Sequence, residues 1–398
     1  MNFLTGSTGV LGRDYLRTAV LSRPEERYRL LMRGESPAAA EERAKELFTS
    51  VFGAGSHDSL RERIEVVPGD VSLPRLGLGD GQYDHLASTT NRILHFAADT
   101  RLNVPLEDAE RTNIFGASQV IDLARRANSL NPSFEGLFHL STAYVAGDTS
   151  DTVRASDLRV QGPFRNYYEQ SKAQGESLVR EAGKEIPICI FRPSVVIGQS
   201  TTGRTSSFNV IYPTARLIVN GIVSVLPAIP STPFDLIPVD FVSGSIDSLV
   251  HNPHRSSNCY HICSGVGRES SPKEIIDCLI ATFNKYRARG RRTIVSPVYL
   301  APEMVSRVYH AVCRACDHVR ALERILTDHV DTVKHILPFL PYLIRNPRFD
   351  TTETTNDLPA TLRTPPLFDL YAERIFKYCF DTNFGRRLNL GTEEEVYA

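Results

Sequence analysis

The chain lacks a strong charge of either sign, a long apolar run and a cysteine framework, and each absence removes a class of function. Its 398 residues carry 45 Lys and Arg against 46 Asp and Glu, a formal net charge of -1, so no overall field draws it to nucleic acid or to an anionic membrane. The one dense basic stretch, Arg287-Ala288-Arg289-Gly290-Arg291-Arg292, reads as a solvated turn between helices rather than a docking patch. No run of apolar residues reaches the length of a membrane-spanning helix, and no basic segment followed by an apolar run precedes the first strand. The seven cysteines, at 189, 259, 263, 278, 313, 316 and 379, are odd in number and scattered, which argues for reduced thiols. Cys313, Cys316 and His318 fall in a segment that reads as helical and lack a second ligand pair at zinc spacing, so no metal is expected. Neither an internal repeat nor a low-complexity tail is present. These absences point to a soluble cytoplasmic protein with no transmembrane segment and no nucleic-acid partner. They leave its oligomeric state open.

What is there is an ordinary globular composition, 41% hydrophobic and 23% charged, with length for a large core and a second lobe. Asn2-Phe3-Leu4 is a short apolar strand, and Thr5-Gly6-Ser7-Thr8-Gly9-Val10-Leu11-Gly12 is a glycine-punctuated turn entering a helix over about 11–22. Gly6 allows the tight turn, Gly9 lets a phosphate approach the backbone, and Gly12 lets the helix lie close to the sheet, its free N–H groups facing the anion. That pattern predicts a dinucleotide site. Tyr28 to Arg33 reads as the second strand, whose end meets the adenosine ribose. Arg33 stands there, Arg43 and Lys45 add positive charge, and Glu35 is the competing acid; the balance favours a 2'-phosphate and hence NADPH.

Further strands are expected at 64–71, 92–98 and 137–145, with a helix over about 108–128 between the last two. Asp70, before Val71, reads equally as a partner for the adenine amine or as the cap of its own turn. Ala97 and Ala98 leave room for the pyrophosphate or nicotinamide ribose, and Asn113 is an unusual residue for its helix. The fifth strand ends in Ser141-Thr142, followed by a polar loop at 147–162 that suits a site margin. Tyr168 and Lys172, four apart near the start of the next helix, share one face. With Thr142 they form a proton-transfer set: Thr142 fixes a carbonyl oxygen, Tyr168 donates its phenol proton, and Lys172 lowers the phenol's pKa and holds the nicotinamide ribose. A strand over 186–198 contains the proline-fixed exit Pro193-Ser194-Val195, and Asp235 to Val242 forms another strand entering a helix. Tyr260 to Cys263 closes the sheet. Ser271-Pro272-Lys273-Glu274 has the form of a capping box.

The resulting fold class is α/β: a Rossmann-like, doubly wound parallel sheet with a mostly helical C-terminal lobe. Residues 1–265 are expected to form the NADP-binding domain, with a substrate-covering insertion at about 199–234. Residues 266–398 are expected to form the substrate-binding lobe, with apolar-periodic runs at 302–336 and 366–380 joined through Leu337 to Leu343.

The ordered motifs resemble the extended short-chain dehydrogenase/reductase superfamily, in the branch of thioester reductases, reductase domains of carboxylic acid reductases and fatty acyl-CoA reductases. Thr5 to Gly12 is similar to its TGxTGxLG fingerprint, Leu31-Met32-Arg33 to its cofactor-selecting strand end, Gly69-Asp70 to its GD turn and His95 to Ala98 to its HxAA segment. Ser141 to Val145, Tyr168 to Lys172, Arg192-Pro193-Ser194 and Pro238 to Val242 resemble its STxYV, YxxxK, RPS and PVDxV segments; Phe349-Asp350 and Tyr378 to Asn383 are similar to C-terminal motifs of fatty acyl-CoA reductases. The resemblance implies NADPH-dependent reduction of an acyl thioester to an aldehyde, or onward to the alcohol. The chain starts at the cofactor strand and carries no adenylation lobe or carrier domain, so the acyl group is expected in trans, on coenzyme A or on an acyl or peptidyl carrier protein. A carbonyl reductase or nucleotide-sugar epimerase shares the same Thr, Tyr and Lys. A non-catalytic dinucleotide-binding sensor or interaction module shares only the sheet; turnover separates it from the enzymes.

Overall fold

The computed structural model describes residues 1–287, 292–300 and 337–385. Strands β1 (Asn2–Thr5), β2 (Tyr28–Met32), β3 (Ile64–Pro68), β4 (Arg92–His95), β5 (Gly136–Leu140), β6 (Ile188–Pro193) and β7 (Cys259–Ile262) form one parallel sheet in the order β7-β6-β5-β4-β1-β2-β3. Phe3 of β1 is paired with Arg29 on one side and Ile93 on the other. Phe3 and Leu4 point to opposite faces and both are fully buried, which is why this strand reads as a continuous apolar run rather than an alternating one.

The main helices are α1 (Val10–Ser22), α2 (Pro37–Phe52), α3 (Asp80–Thr89), α4 (Gly116–Leu130), α5 (Tyr167–Ala182), α6 (Ile211–Val219), α7 (Val239–Val250), α8 (Pro272–Tyr286) and α9 (Ala372–Asp381). Leu16 of α1, Phe48 of α2 and Leu249 of α7 pack with Leu4 and Leu94 on one face of the sheet. Leu86 of α3, Leu123 of α4 and Val179 of α5 pack with Phe3 and Ile93 on the other. The sheet is therefore doubly wound, and the strand order reverses between β1 and β4, where such folds bind their ligands beyond the C-terminal strand ends. A third apolar cluster joins Tyr144, Tyr212 of α6, Phe234, Leu279 of α8, Phe349 and Phe376 of α9. Two short parallel ladders tie late segments to early ones: Val298–Leu300 pairs with Val225–Pro227, and Arg348–Phe349 with Thr152–Val153.

Several strands are shorter than the apolar pattern suggests. The runs at 64–71, 92–98 and 137–145 leave the sheet after Pro68, His95 and Leu140, each followed by one last backbone bond to the neighbouring strand, from Gly69 to Met32, Phe96 to Thr5 and Ser141 to Phe191. The run at 186–198 divides: Ile188–Pro193 stays in the main sheet, while Val195–Ile197 pairs separately with Leu236–Pro238. The break falls at Ser194, whose Oγ donates to Asp235 Oδ1 at 2.5 Å. The expected helix at 108–128 is helical from Leu106 to Leu130, with one wide turn at Glu110–Phe115. Ser271 and Glu274 cap α8 reciprocally, as their spacing predicts. The run at 302–336, with Cys313, Cys316 and His318, lies outside the described residues.

Candidate active site

The glycine turn is set by close backbone approach. Gly6 has φ +76°, and a Cβ there would stand 2.5 Å from the Ala97 nitrogen; one at Gly12 would stand 2.1 Å from the Gly6 oxygen. A Cβ at Gly9 would meet only the Gly6 oxygen, at 3.4 Å. Gly6 and Gly12 thus lock the turn to the sheet and to itself, whereas no other described residue takes the space above Gly9. Gly9 is the N-cap of α1 and supplies no side-chain cap, and the first turn, from Val10 through Leu11 and Gly12, carries no acidic residue. Its amides are free to meet an anion. Thr5 Oγ1 pairs with His95 Nδ1 at 2.8 Å and accepts from the Ala97 amide at 3.2 Å, which draws the Ala97-Ala98 bend against the turn. Ser7 is buried and donates to Met32 Sδ at 3.5 Å.

A cluster of guanidiniums stands beside this turn. Arg43 reaches from α2 to donate to Thr8 Oγ1 at 3.5 Å and to the Arg33 carbonyl at 3.4 Å. Arg13, in the first turn of α1, donates to the Thr8 carbonyl at 3.0 Å. Its burial, and then the nearby Arg43 charge, lower its pKa. The sequence reading missed Arg13; its position directly after Gly12 was the available signal. Asp70 caps its own turn: Oδ1 accepts from both the amide and the hydroxyl of Ser72 at 2.8 Å. Val71 is buried where a Cβ on Gly116 would meet its Cγ2 at 3.2 Å.

The hydroxyl set lies past the ends of β4 and β5. Thr142 caps the tight turn Ala143–Ala146 by accepting from the Tyr144 amide at 3.3 Å, which leaves its own O–H to donate. Asn166 caps α5, accepting from the Glu169 amide at 3.0 Å, and so begins the helix one residue before Tyr167. Half-buried Tyr168 comes within hydrogen-bond reach of Thr142. Lys172 is buried, and its Nζ donates to the Leu140 carbonyl at the end of β5 at 2.8 Å. His95 and His139 lie beneath it with ring centroids 5.2 Å apart. Burial and then the Lys172 charge push His95 down to about 3 and His139 well below its usual value, so both imidazoles are neutral.

One electrostatic expectation is corrected. The Tyr168 phenol is not lowered by Lys172; burial pushes it up to about 12, against the opposing hydrogen bond from Thr142. The lysine ammonium is turned to the Leu140 carbonyl, and desolvation of the phenolate outweighs what the site offers it. The phenol is therefore protonated at neutral pH. Burial also brings Lys172 down to about 8, with the Glu176 charge acting in the opposite direction. Because a lysine loses its charge as pH rises through its pKa, kcat/KM is expected to fall on the alkaline side with an apparent pKa of about 8. A pH–rate profile flat to pH values near the ordinary lysine range would contradict this role for Lys172.

Other sequence-selected residues support the site from behind. Asn113 accepts from the Asp99 amide at 2.8 Å and donates to the Asp99 carbonyl and to Ser171 Oγ, so its side chain bridges the loop after β4 to α5. Ser194, between Pro193 and Val195, spends its hydroxyl on buried Asp235. Arg192 pairs bidentately with buried Glu176, which also accepts from Ser141 Oγ at 2.6 Å. This hydrogen-bonded buried pair fixes α5 against β6, and removing one partner would leave an uncompensated charge.

An anion cradle without a side-chain cap, with Arg13 and Arg43 beside it and exposed Arg33 after the end of β2, suits a dinucleotide. Residues 4–246, more than half of the chain, match the profile of the family described as Male sterility protein. The chain belongs to the Male sterility protein family. This family member lies in the thioester reductase and fatty acyl-CoA reductase branch of the extended short-chain dehydrogenase/reductases. It is 28% identical over 284 residues to the nonribosomal peptide synthetase asaC of Aspergillus flavus, covering 68% of this chain and 27% of that protein. It is 28% identical over 273 residues to fatty acyl-CoA reductase 1 of Mus musculus, covering 60% and 52% respectively. The chain thus matches about a quarter to a half of the length of these relatives. In fold it is similar to the terminal R domain from the myxalamid PKS-NRPS biosynthetic pathway, with a TM-score of 0.78 at 23% identity over 98% of this chain and 92% of that one. No helix among the described residues of this Male sterility family chain is long and apolar enough to cross a membrane.

Proposed function

We propose that the protein is an NADPH-dependent reductase that converts an acyl thioester, carried by coenzyme A or by an acyl or peptidyl carrier protein, to an aldehyde. The observation that carries this reading is the Thr142–Tyr168 hydroxyl pair, with its phenol held protonated beyond the strand ends next to the glycine turn. Thr5 to Gly12, Arg33, Arg43 and the Ala97-Ala98 bend would hold the dinucleotide, with Arg13 beside them. When bound, NADPH supplies the hydride. Thr142 and Tyr168 hold the thioester carbonyl oxygen and stabilise the charge that develops on it. Tyr168 Oη gives its proton to that oxygen, producing a hemithioacetal, which releases the thiol as the carbonyl of the aldehyde re-forms. Lys172 keeps a positive charge beneath the site while these steps occur. Residues 1–265 would supply the cofactor half and residues 266–398, with the 199–234 insertion, the acyl half. The relatives in nonribosomal peptide synthetases and fatty acyl-CoA reductases support a thioester over a sugar nucleotide.

The test follows NADPH oxidation with acyl-CoA, acyl-carrier and free aldehyde substrates, with mass analysis of the products. Aldehyde released from a thioester is the expected result, and alcohol would mark a second round of reduction. Inert thioesters together with turnover of ketones or sugar nucleotides would overturn the proposal.

A further inference from the structure

The segment 337–346 lies between two parts of the molecule that the proposed reaction needs in register. On one side it is bonded to the 199–234 insertion: Thr232 Oγ1 donates to the Ile344 carbonyl at 2.9 Å, the Ile229 amide to the Leu343 carbonyl at 3.0 Å, and Asn346 Nδ2 to the Pro233 carbonyl at 3.0 Å. On the other side it meets the first turn of α5 through the buried Tyr342. Its hydroxyl donates to Glu169 Oε1 at 2.5 Å and accepts from Asn166 Nδ2 at 2.9 Å. Asn166 is the cap of α5, and Glu169 is fully buried next in sequence to Tyr168. Arg165 completes the cluster, donating to both Glu169 oxygens at 3.0 Å and to the Arg345 carbonyl at 2.9 Å, with its guanidinium 4.6 Å from the Tyr342 ring centre.

We propose that Tyr342 is a positioning residue for Tyr168: its hydroxyl, shared between the helix cap Asn166 and the buried Glu169, ties the orientation of the proton-donating turn to the seating of the substrate-covering insertion. This inference rests on the reductase reading, in which Tyr168 is the acid. A helix end is the part of a helix most prone to fray, since its first amides lack partners within the helix. Here the cap's acceptor oxygen holds the Glu169 amide while its amide nitrogen is held by Tyr342. Fixing both ends of the Asn166 side chain limits how far the Tyr167-Tyr168 turn can rotate. Displacement in general-acid geometry is expensive because proton transfer requires hydrogen-bond contact with the reacting oxygen.

Tyr342→Phe removes only the hydroxyl and keeps the ring edge-on to Tyr144, at 5.2 Å between centroids, and under Arg165. It is expected to lower kcat about tenfold, with NADPH affinity unchanged and an increased solvent isotope effect as protonation becomes limiting. Asn166→Ser, which still caps the helix but does not reach Tyr342, should reproduce the loss. The double variant should be no worse than the poorer single one, because both break the same link. A kcat within about twofold of the wild type, an unmoved isotope effect or additive losses would each overturn the proposal. If Tyr342→Phe does not fold, the Asn166→Ser variant carries the same test. Wild-type inactivity on every thioester and carbonyl substrate would count against the reductase reading alone. Amide hydrogen exchange over residues 167–172 then decides the latch separately: acceleration in the variants supports it, and unchanged exchange overturns it.

Discussion

Tyr168→Phe is expected to lower kcat by about a thousandfold while NADPH binds as before, since removing a positioned general acid typically costs 10²–10⁴ in rate. The phenylalanine ring keeps the volume and the helix position, so only the proton is lost. The structure makes this proton hard to replace. Burial pushes the phenol up to about 12, and its hydroxyl is in reach of Thr142, the hydroxyl placed to receive the same carbonyl oxygen. Without Tyr168, Thr142 still donates one hydrogen bond to the developing oxyanion, which is why residual turnover is expected rather than none. The check is steady-state kinetics with the responsive thioester, alongside NADPH binding measured by fluorescence. Turnover near wild-type level would remove Tyr168 from its assigned role and redirect attention to another acid.

Exchanging Arg33 and Arg43 together for Ser is expected to reduce the preference for NADPH over NADH, measured as the ratio of kcat/KM values, by about a hundredfold or more. Each lost charge-assisted hydrogen bond to a phosphate is worth about 1.5–3 kcal/mol. Exposed Arg33 follows the end of β2, and Arg43 is braced by the Arg33 carbonyl and Thr8 Oγ1. A single exchange should have a smaller effect, because one of the two guanidiniums remains beside the end of β2. NADH kinetics should change little, since that cofactor carries no 2'-phosphate. An unaltered ratio in the double variant would show that selection lies elsewhere, and it would leave the Tyr168 prediction untouched.

The features legible in the chain are those whose cause is local. Gly6 and Gly12 announce a turn because no side chain fits there, the four-residue spacing of Tyr168 and Lys172 places them on one face, and Ser271 with Glu274 marks a helix start. Strand ends were less legible: hydrophobicity continues through Phe96 and Tyr144, but the backbone leaves the sheet before them. The turn formed by Asp70 was legible from Gly69-Asp70, and Ser72 supplies the donors that its Oδ1 accepts. Arg43 meeting Thr8 across 35 residues, and Tyr342 meeting Glu169 across 173, have no local signature.

The sequence by itself determined the parallel α/β architecture, the glycine turn into α1 and the shared helix face of Tyr168 and Lys172, because turn sterics, burial periodicity and helix spacing act over a few residues. Only the tertiary structure decided the direction of the Tyr168 and Lys172 shifts, the approach of Arg13 and Arg43 to Thr8 and the tie from Tyr342 to the start of α5. Those depend on desolvation and on contacts between segments far apart in the chain, which exist only once packing has removed water and brought the segments together.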